Sequence, residues 1–246
     1  MKTGVLKKFY TRLFESFGPQ QWWPGDSPFE IIVGAILTQN TNWGNVEKAL
    51  NNLKQENLLT PQRLSRISHE RLAALIKPAG YFNVKAKRLK NFLDYLFAHY
   101  NGDLDAMAGG SGEQLRDELL SINGIGPETA DSILLYAFQK PVFVIDAYTH
   151  RILYRHGLTG KKADYGLMQE LFTKNLSQDI TVYNEYHALI VRIGKDYCKP
   201  RPACEQCPLR DIRYSLKKRC GKCFRYFKRD EQAVKAEDRL FCKDCV

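Results

Sequence analysis

An all-α body followed by a small C-terminal module is the architecture this 246-residue sequence predicts, and three observations predict it. Helix-start signals recur along the chain, each a capping residue ahead of an apolar run of helical period. Strand signals are confined to PVFVID (residues 141–146) and the last 30 residues. The composition, 44% hydrophobic and 12% aromatic, suffices for a sizeable buried core, which excludes a disordered or fibrous chain.

The elements follow in order. The N-terminal MKTGVLKKFYTRLFESF is amphipathic and has no apolar core or cleavage site of the signal-peptide kind. Ser27-Pro28 pairs an N-cap with proline at the first helical position and opens FEIIVGAIL. Thr60-Pro61 repeats the device ahead of QRLSRI, and Ser68 precedes HERLAALI, which stops at Pro78-Ala79-Gly80. Asn83 is read as the start of VKAKRLKNFLDYLFAHY, in which Leu89, Phe92, Leu93, Leu96 and Phe97 form one stripe. Further helices are predicted at EQLRDELLSI, PETADSILLYAF, DAYTHRILYRHG, DYGLMQELFTKNL and TVYNEYHALIVRIGKDY. The body thus holds about ten short helices, with no fixed-period repeat. Residues from about 215 onward form a separate module.

Charge and cysteines point to partners. Lys and Arg number 37 against 27 Asp and Glu, a net +10. From Lys195 onward there are 15 basic and 8 acidic residues, so +7 of that charge lies in the last fifth. A basic tail on a near-neutral body suits a polyanion, most often nucleic acid. No stretch approaches the roughly 20 apolar residues of a membrane span. Seven cysteines cannot all pair as disulfides. A soluble, cytoplasmic, nucleoid-associated monomer is the expectation.

Two segments carry chemistry. LLSINGIGPETADSILLYAF joins two apolar helices through Asn123, Gly124, Ile125, Gly126 and Pro127. Glycines one residue apart permit a tight turn whose N–H groups face outward, and Pro127 turns a positive helix end toward it. Such a turn suits a backbone phosphate, with help from a bound monovalent cation, while Ile125 plugs the core. Next comes VIDAYTHR (Val144–Arg151), with Asp146 at the start of a helix. On position alone Asp146 is also an ordinary cap.

Together, LxxINGIGPETA and VIDAYTHRIL resemble the helix-hairpin-helix DNA glycosylases (the HhH-GPD superfamily, which includes endonuclease III), and the likeness runs from about Trp22 to Cys207. It implies a six-helix subdomain over residues 28–138 carrying the hairpin. Residues 1–27 and 139–210 would form a second helical subdomain ending in a cysteine loop, and 215–246 a zinc ribbon. Double-stranded DNA would bind across the mouth of a cleft between the two subdomains, with the damaged nucleotide flipped in. Asp146 matches the catalytic aspartate, which stabilises positive charge on the sugar and orients or deprotonates water. Bifunctional members carry a lysine where this chain has Glu128, and a carboxylate forms no Schiff base. The resemblance therefore implies base excision without efficient strand cleavage.

QQWWPGDSPFEIIVGAILTQNTNW resembles the 3-methyladenine DNA glycosylase III branch, where aromatics wall the base pocket. The matching residues are Trp22, Trp23 and Trp43, which otherwise read as core fillers. Indole faces favour a cationic methylated purine by about 0.5–2 kcal/mol. By the same resemblance Gln39 enters the hole left by the flipped base, and Asn40 shapes that loop. Two readings stay beside this one: an endonuclease III-like glycosylase/lyase for oxidised pyrimidines, uracil or G·T mismatches, and a non-catalytic DNA-binding protein.

The cysteines split three and four. Cys220, Cys223, Cys242 and Cys245 form two CxxC knuckles spaced for one tetrahedral zinc ion. The module's Arg219, Lys222, Arg225, Tyr226, Lys228 and Arg229 suit DNA backbone, and a structural or protein-binding ribbon is the equal alternative. Cys198, Cys204 and Cys207 resemble three of the four ligands of the endonuclease III [4Fe–4S] loop, with Arg213 at the expected fourth place. Either Cys220 is recruited, or a ligand other than cysteine completes the set, or the loop is empty; a cluster is the expectation. Lys195 and Lys199 beside the loop are read as phosphate contacts, and His150, His156 and His187 as packing or capping residues.

Overall fold

The sequence signals operate as caps. Ser27 accepts the N–H of Glu30 ahead of α2 (Pro28–Leu37), Thr60 that of Arg63 ahead of α4 (Pro61–Arg66), and Ser68 that of Arg71 ahead of α5 (His69–Leu75). The protein, described by a computed structural model over residues 2–22, 25–212, 220, 223, 232, 234–236, 239–241 and 245, is mostly helical. The remaining helices are α1 (Lys2–Phe17), α3 (Trp43–Gln55), α6 (Phe82–Tyr100), α7 (Leu104–Ala108), α8 (Gly112–Ser121), α9 (Pro127–Ser132), α10 (Ala147–Arg155), α11 (Tyr165–Thr173) and α12 (Ile180–Asp196). Two short antiparallel strands, β1 (Val234–Ala236) and β2 (Arg239–Phe241), pair Val234 with Phe241 and Ala236 with Arg239. No helix among the described residues is long and apolar enough to cross a membrane.

Three expectations are corrected. PVFVID is not a strand: it runs extended into α10, and α11 side chains replace a sheet partner. Gln169 Nε2 donates to the Phe143 carbonyl at 2.8 Å, and the Ile145 N–H donates to Tyr165 Oη at 3.3 Å. Asn83 is not a cap; α6 starts at Phe82, behind Tyr81 in the left-handed region (φ 47°). Beyond Ser132 the helix widens into a π turn, Ile133–Ala137. Helices α3 and α7 had no expectation attached, because α3 begins in a polar stretch and α7 is only five residues long. Of the last 30 residues, where strand signals were read, the stretch FRYFKRD (224–230) lies outside the described residues.

The chain divides into two compact units, Trp23–Val142 and Met1–Trp22 with Phe143–Val246. In the first, α2 is apolar on nearly every face, with Ile32, Val33, Ile36 and Leu37 fully buried among α3, α6 and the π turn. Lys85 of α6 is buried with them, and its Nζ donates to the carbonyls of Leu37 and Ala79 at 2.8 Å each. It thereby satisfies the end of α2. Burial, helped by Arg88, lowers its pKa to about 8.

In the second unit α1, α11 and α12 pack around Phe143. The Phe143 ring stacks on Phe172 at 3.8 Å, and Tyr183 and Tyr186 meet it edge-on. Tyr186 Oη donates to the Leu6 carbonyl at 2.9 Å. Helix α12 crosses α10 at Gly194, where a Cβ would collide with the Tyr148 ring.

That crossing gives a first prediction. An exposed Gly→Ala change inside a helix gains about 1 kcal/mol. Gly194→Ala should instead destabilise by about 1–3 kcal/mol through overpacking, read as a lower Tm, with Tyr148→Ala restoring part of the loss. Lys85 gives a second. Its folded pKa lies below its unfolded one, so between about pH 8 and 10.5 the unfolded chain binds a proton that the folded chain lacks. Stability from this group therefore rises with pH across that window. The stability difference between wild type and Lys85→Met should rise there by up to about 1.4 kcal/mol per pH unit and stay flat below it, in denaturant titrations.

Candidate active site

Asp146 is the N-cap of α10, with extended backbone (φ −114°, ψ −179°). Its Oδ1 accepts from both the N–H and the hydroxyl of Thr149, each at 2.7 Å. Its Oδ2 lies 3.6 Å from Nε2 of His187 on α12, and their side chains are 10% and 5% exposed. Burial pushes the carboxyl pKa up, but His187 and then Thr149 outweigh burial and hold it below the ordinary aspartate value. The result is a buried carboxylate that stays ionised at neutral pH. His187 thus does more than pack. The 3.6-residue period places it on the buried face of α12, yet Asp146 and His187 are far apart in the chain, so sequence alone did not pair them.

The hairpin is held from α6. Gly124 takes φ +97° and lies against the Arg88 side chain, where a Cβ would clash. Asn91 Nδ2 donates to the Asn123 carbonyl at 2.8 Å, and Gln39 Nε2 donates to the Gly124 carbonyl at 3.0 Å and to Thr129 Oγ1 at 2.9 Å. Arg88 in turn donates to Gln39 Oε1. Gln39, read from sequence as the residue that fills the duplex, is therefore tied to the hairpin here. The Asn123 and Gly124 carbonyls thus already accept side-chain donors. Ile125 is buried as expected, while Asn123, Gly126 and Glu128 are exposed. Asp131, fully buried, pairs with Arg116 at 2.7 Å and ties α9 to α8. Arg88 and Asn91 were missed in the sequence because α6 reads as an ordinary amphipathic helix.

The tryptophans do not share one environment. Trp22 is half-buried, and Lys195 Nζ sits 5.7 Å over its ring, so a lysine expected on a phosphate is here stacked on an indole. Trp43 opens α3 half-buried and packs against the core of its unit. Trp23 lies outside the described residues. Asn40 is exposed with φ 54°, and Thr38 caps α2 in the same loop. Tyr81, unmarked in the sequence, is 72% exposed.

The cysteines fall into two sites. Cys220, Cys223 and Cys245 bring their sulfurs within 4.8 Å of one another, and Cys220 is fully buried. Four sulfurs at 2.3 Å from one tetrahedral ion stand about 3.8 Å apart, so the grouping fits a single metal ion. Cys242 lies outside the described residues. Tyr154 Oη contacts Cys223 Sγ at 3.1 Å. Cys198, Cys204 and Cys207 instead line one cavity with Ile152, Arg155, His156, Tyr197 and Leu209. Among the described residues these three sulfurs are not grouped as a single-ion site. Arg155 Nη1 donates to Cys198 Sγ at 3.3 Å and to the Lys199 carbonyl at 2.6 Å. Cys220, grouped with Cys223 and Cys245, is not among the residues lining that cavity. Lys199 is exposed.

The site is thus a glycine hairpin between helices, followed by a helix capped by a buried, ionised aspartate. Residues 33–178 match the profile of HhH-GPD superfamily base excision DNA repair proteins. The chain belongs to this superfamily and is a base excision DNA repair glycosylase. It is 47% identical over 213 residues to a Methanocaldococcus jannaschii protein assigned as a DNA repair glycosylase, covering 86% of this chain and 96% of that one. It is 32% identical over 186 residues to endonuclease III of Thermotoga maritima, covering 75% and 81%. Its fold is similar to an H. pylori 3-methyladenine DNA glycosylase bound to 1,N6-ethenoadenine (28% identity, TM-score 0.65, 79% and 97% covered). It is also similar to endonuclease III in a DNA complex (21% identity, TM-score 0.74, 86% and 95% covered).

Of the groups that hold the Asp146 carboxyl down, His187 acts most strongly. Activity that needs the carboxylate is present above the Asp146 pKa and lost as pH falls through it. In His187→Leu burial is no longer opposed by the imidazole, so the acid limb of single-turnover base release should move toward neutral pH. His187→Gln, which keeps a donor, should return it most of the way. An unmoved acid limb in His187→Leu would show that the histidine only fills space.

Proposed function

We propose that this protein is a monofunctional glycosylase that flips a damaged purine out of duplex DNA and hydrolyses its N-glycosidic bond, with alkylated bases such as 3-methyladenine as substrates. The observation that carries the reading is the pair of carboxylates in the two motifs. Asp146 is ionised and buried where the catalytic acid of the superfamily is expected, and Glu128 stands where a Schiff-base lysine would be needed. Breaking the bond builds positive charge on the sugar, which the Asp146 carboxylate stabilises at close range in a dry setting. The same oxygen takes a proton from the attacking water. His187 and Thr149 keep the carboxylate ionised and aimed.

The alkylated-purine reading is supported by Trp22, whose ring already faces a cation 5.7 Å from its centroid, and by the likeness to a 3-methyladenine glycosylase. Trp23 and Trp43 would complete the base pocket, and Gln39, released from the hairpin, would fill the gap in the duplex with Asn40 shaping its loop. Asn123, Gly124, Ile125 and Gly126 would hold one phosphate, where a monovalent cation would assist, and Lys195 and Lys199 would hold others. Tyr81, exposed at the head of α6, adds a stacking surface.

Cys198, Cys204 and Cys207 would hold a [4Fe–4S] cluster, and Cys220, Cys223, Cys242 and Cys245 a zinc ion in a terminal ribbon. When bound, both groups order the chain that carries the basic residues of the tail. The domain limits follow the same reading: 28–138 with the hairpin, 1–27 and 139–210 with Asp146 and the cluster loop, and 215–246 as the ribbon.

Duplexes bearing 3-methyladenine, thymine glycol, uracil or a G·T mismatch test this directly. The expected result is release of methyladenine, strand nicks only after alkali, and a loss of roughly a hundredfold or more in Asp146→Asn. Prompt nicking without alkali, abolished by Asp146→Asn, would instead support an endonuclease III-like lyase. Unchanged activity in Asp146→Asn would overturn the catalytic assignment.

A further inference from the structure

Gln39 lies in a tight turn directly after α2. The Thr41 N–H donates to the Thr38 carbonyl at 3.2 Å, and Asn40 takes the left-handed region (φ 54°). The turn is closed by its own backbone, so the Gln39 side chain is held by whatever its amide meets. Both ends of that amide are taken. Nε2 donates to the Gly124 carbonyl at 3.0 Å and to Thr129 Oγ1 at 2.9 Å, and Oε1 accepts from Nη1 of Arg88. An amide nitrogen has two hydrogens to give, so Nε2 is spent, and the guanidinium fixes which way round the amide lies. The stem of Arg88 packs on Gly124, close enough that a Cβ there would collide with it. Arg88, Gln39 and Gly124 therefore close a ring of contacts: stem on glycine, guanidinium on glutamine, glutamine on the glycine carbonyl. Arg88 and Gln39 are half-buried, where a charged donor makes a stronger bond than a neutral one. A side chain held on the hairpin at both amide atoms is not available to a duplex until those bonds break.

We propose that Arg88 is a positioning residue that stows Gln39 on the hairpin in the DNA-free protein, so that Gln39 enters a duplex only by giving up Arg88, Gly124 and Thr129. The proposal rests on the reading that Gln39 fills the gap left by a flipped nucleotide. The stow sets a threshold for that step. In an intact duplex the bases are stacked, and nothing there replaces the bonds that Gln39 would lose. Where a nucleotide has left the stack, the unpaired partner base offers its hydrogen-bonding edge, and the exchange becomes favourable. Arg88 keeps its charge beside the hairpin throughout. Its loss also weakens the hold on phosphates, an effect that does not depend on Gln39.

The test is a cycle of full-length proteins: wild type, Arg88→Met, Gln39→Ala and the double variant. Fluorescence anisotropy gives dissociation constants for a duplex holding a tetrahydrofuran abasic analogue and for the same duplex intact. Gln39→Ala should lower the preference for the abasic duplex. Arg88→Met, with Gln39 in place, should raise that preference by about tenfold, the worth of one hydrogen bond to a charged group. In the Gln39→Ala background Arg88→Met should leave the preference unmoved, because the lost charge weakens both duplexes alike. A preference raised equally in both backgrounds, or not raised with Gln39 in place, would overturn the stowing role while leaving Gln39 as the residue that fills the gap. A preference unmoved by Gln39→Ala alone would overturn that reading and the proposal together. A second measurement needs no Arg88 variant. In nitrogen-15-labelled wild type the Gln39 side-chain amide, assigned by its absence in Gln39→Ala, should exchange its hydrogens more slowly than exposed glutamines do. Its signal should move on addition of the abasic duplex and stay in place with the intact one. Unprotected exchange in the DNA-free protein would contradict the stow, whether or not Arg88→Met folds.

Discussion

A carboxylate that is buried and still charged is the constraint on which the active site depends. Burial by itself pushes the Asp146 pKa up, and a neutral acid could neither stabilise a sugar cation nor accept a proton from water. Three groups oppose that cost: the Thr149 N–H and hydroxyl, which donate to it, and the His187 ring 3.6 Å away. Two of them come from the first turn of the helix that Asp146 caps, so the capping motif and the environment of the carboxylate are the same few atoms. The third comes from α12, and it reaches Asp146 only because that helix lies close against α10. Gly194 is what permits the approach.

Helix α10 is therefore more than a support for one residue. Asp146 stands at its start, and at its end Tyr154 touches Cys223, Arg155 donates to Cys198, and His156 borders the cysteine cavity. Nine residues thus link the charged group to both cysteine sites. Cys198 and Cys223 are thus both tied to the rest of their unit through α10. In the other unit an analogous economy operates from α6, where Lys85 satisfies the end of α2 while Arg88 and Asn91 hold the loop of Gln39 and the hairpin.

Much of this was legible in the amino-acid order because it is local. The Ser and Thr caps, the Gly124 turn, the buried Ile125 and the aspartate at a helix start are all set by residues within one helical turn of each other. What could not be read depends on contacts distant in the chain. PVFVID has strand composition, yet Gln169 and Tyr165 satisfy its backbone from a helix, and nothing in six residues announces that. His187 looked like any buried histidine until α12 was laid on α10. Gln39 was legible as a polar residue at a helix end, but its partners on the hairpin, Gly124 and Thr129, were not. The cysteine spacing suggested two groups, whereas the place of Cys220 with Cys223 and Cys245 needed coordinates.

The central claim is that Asp146 remains ionised inside the protein, and its carboxyl can be observed directly. A carbon-13 NMR titration of aspartate side-chain carboxyls, with the Asp146 signal assigned by its absence in Asp146→Asn, reports the pKa without reference to any substrate. The account predicts a midpoint below that of an ordinary aspartate, about 3.9, so the signal stays that of a carboxylate through the neutral and mildly acidic range. A midpoint raised toward neutrality would contradict it, since burial would then have won over His187 and Thr149.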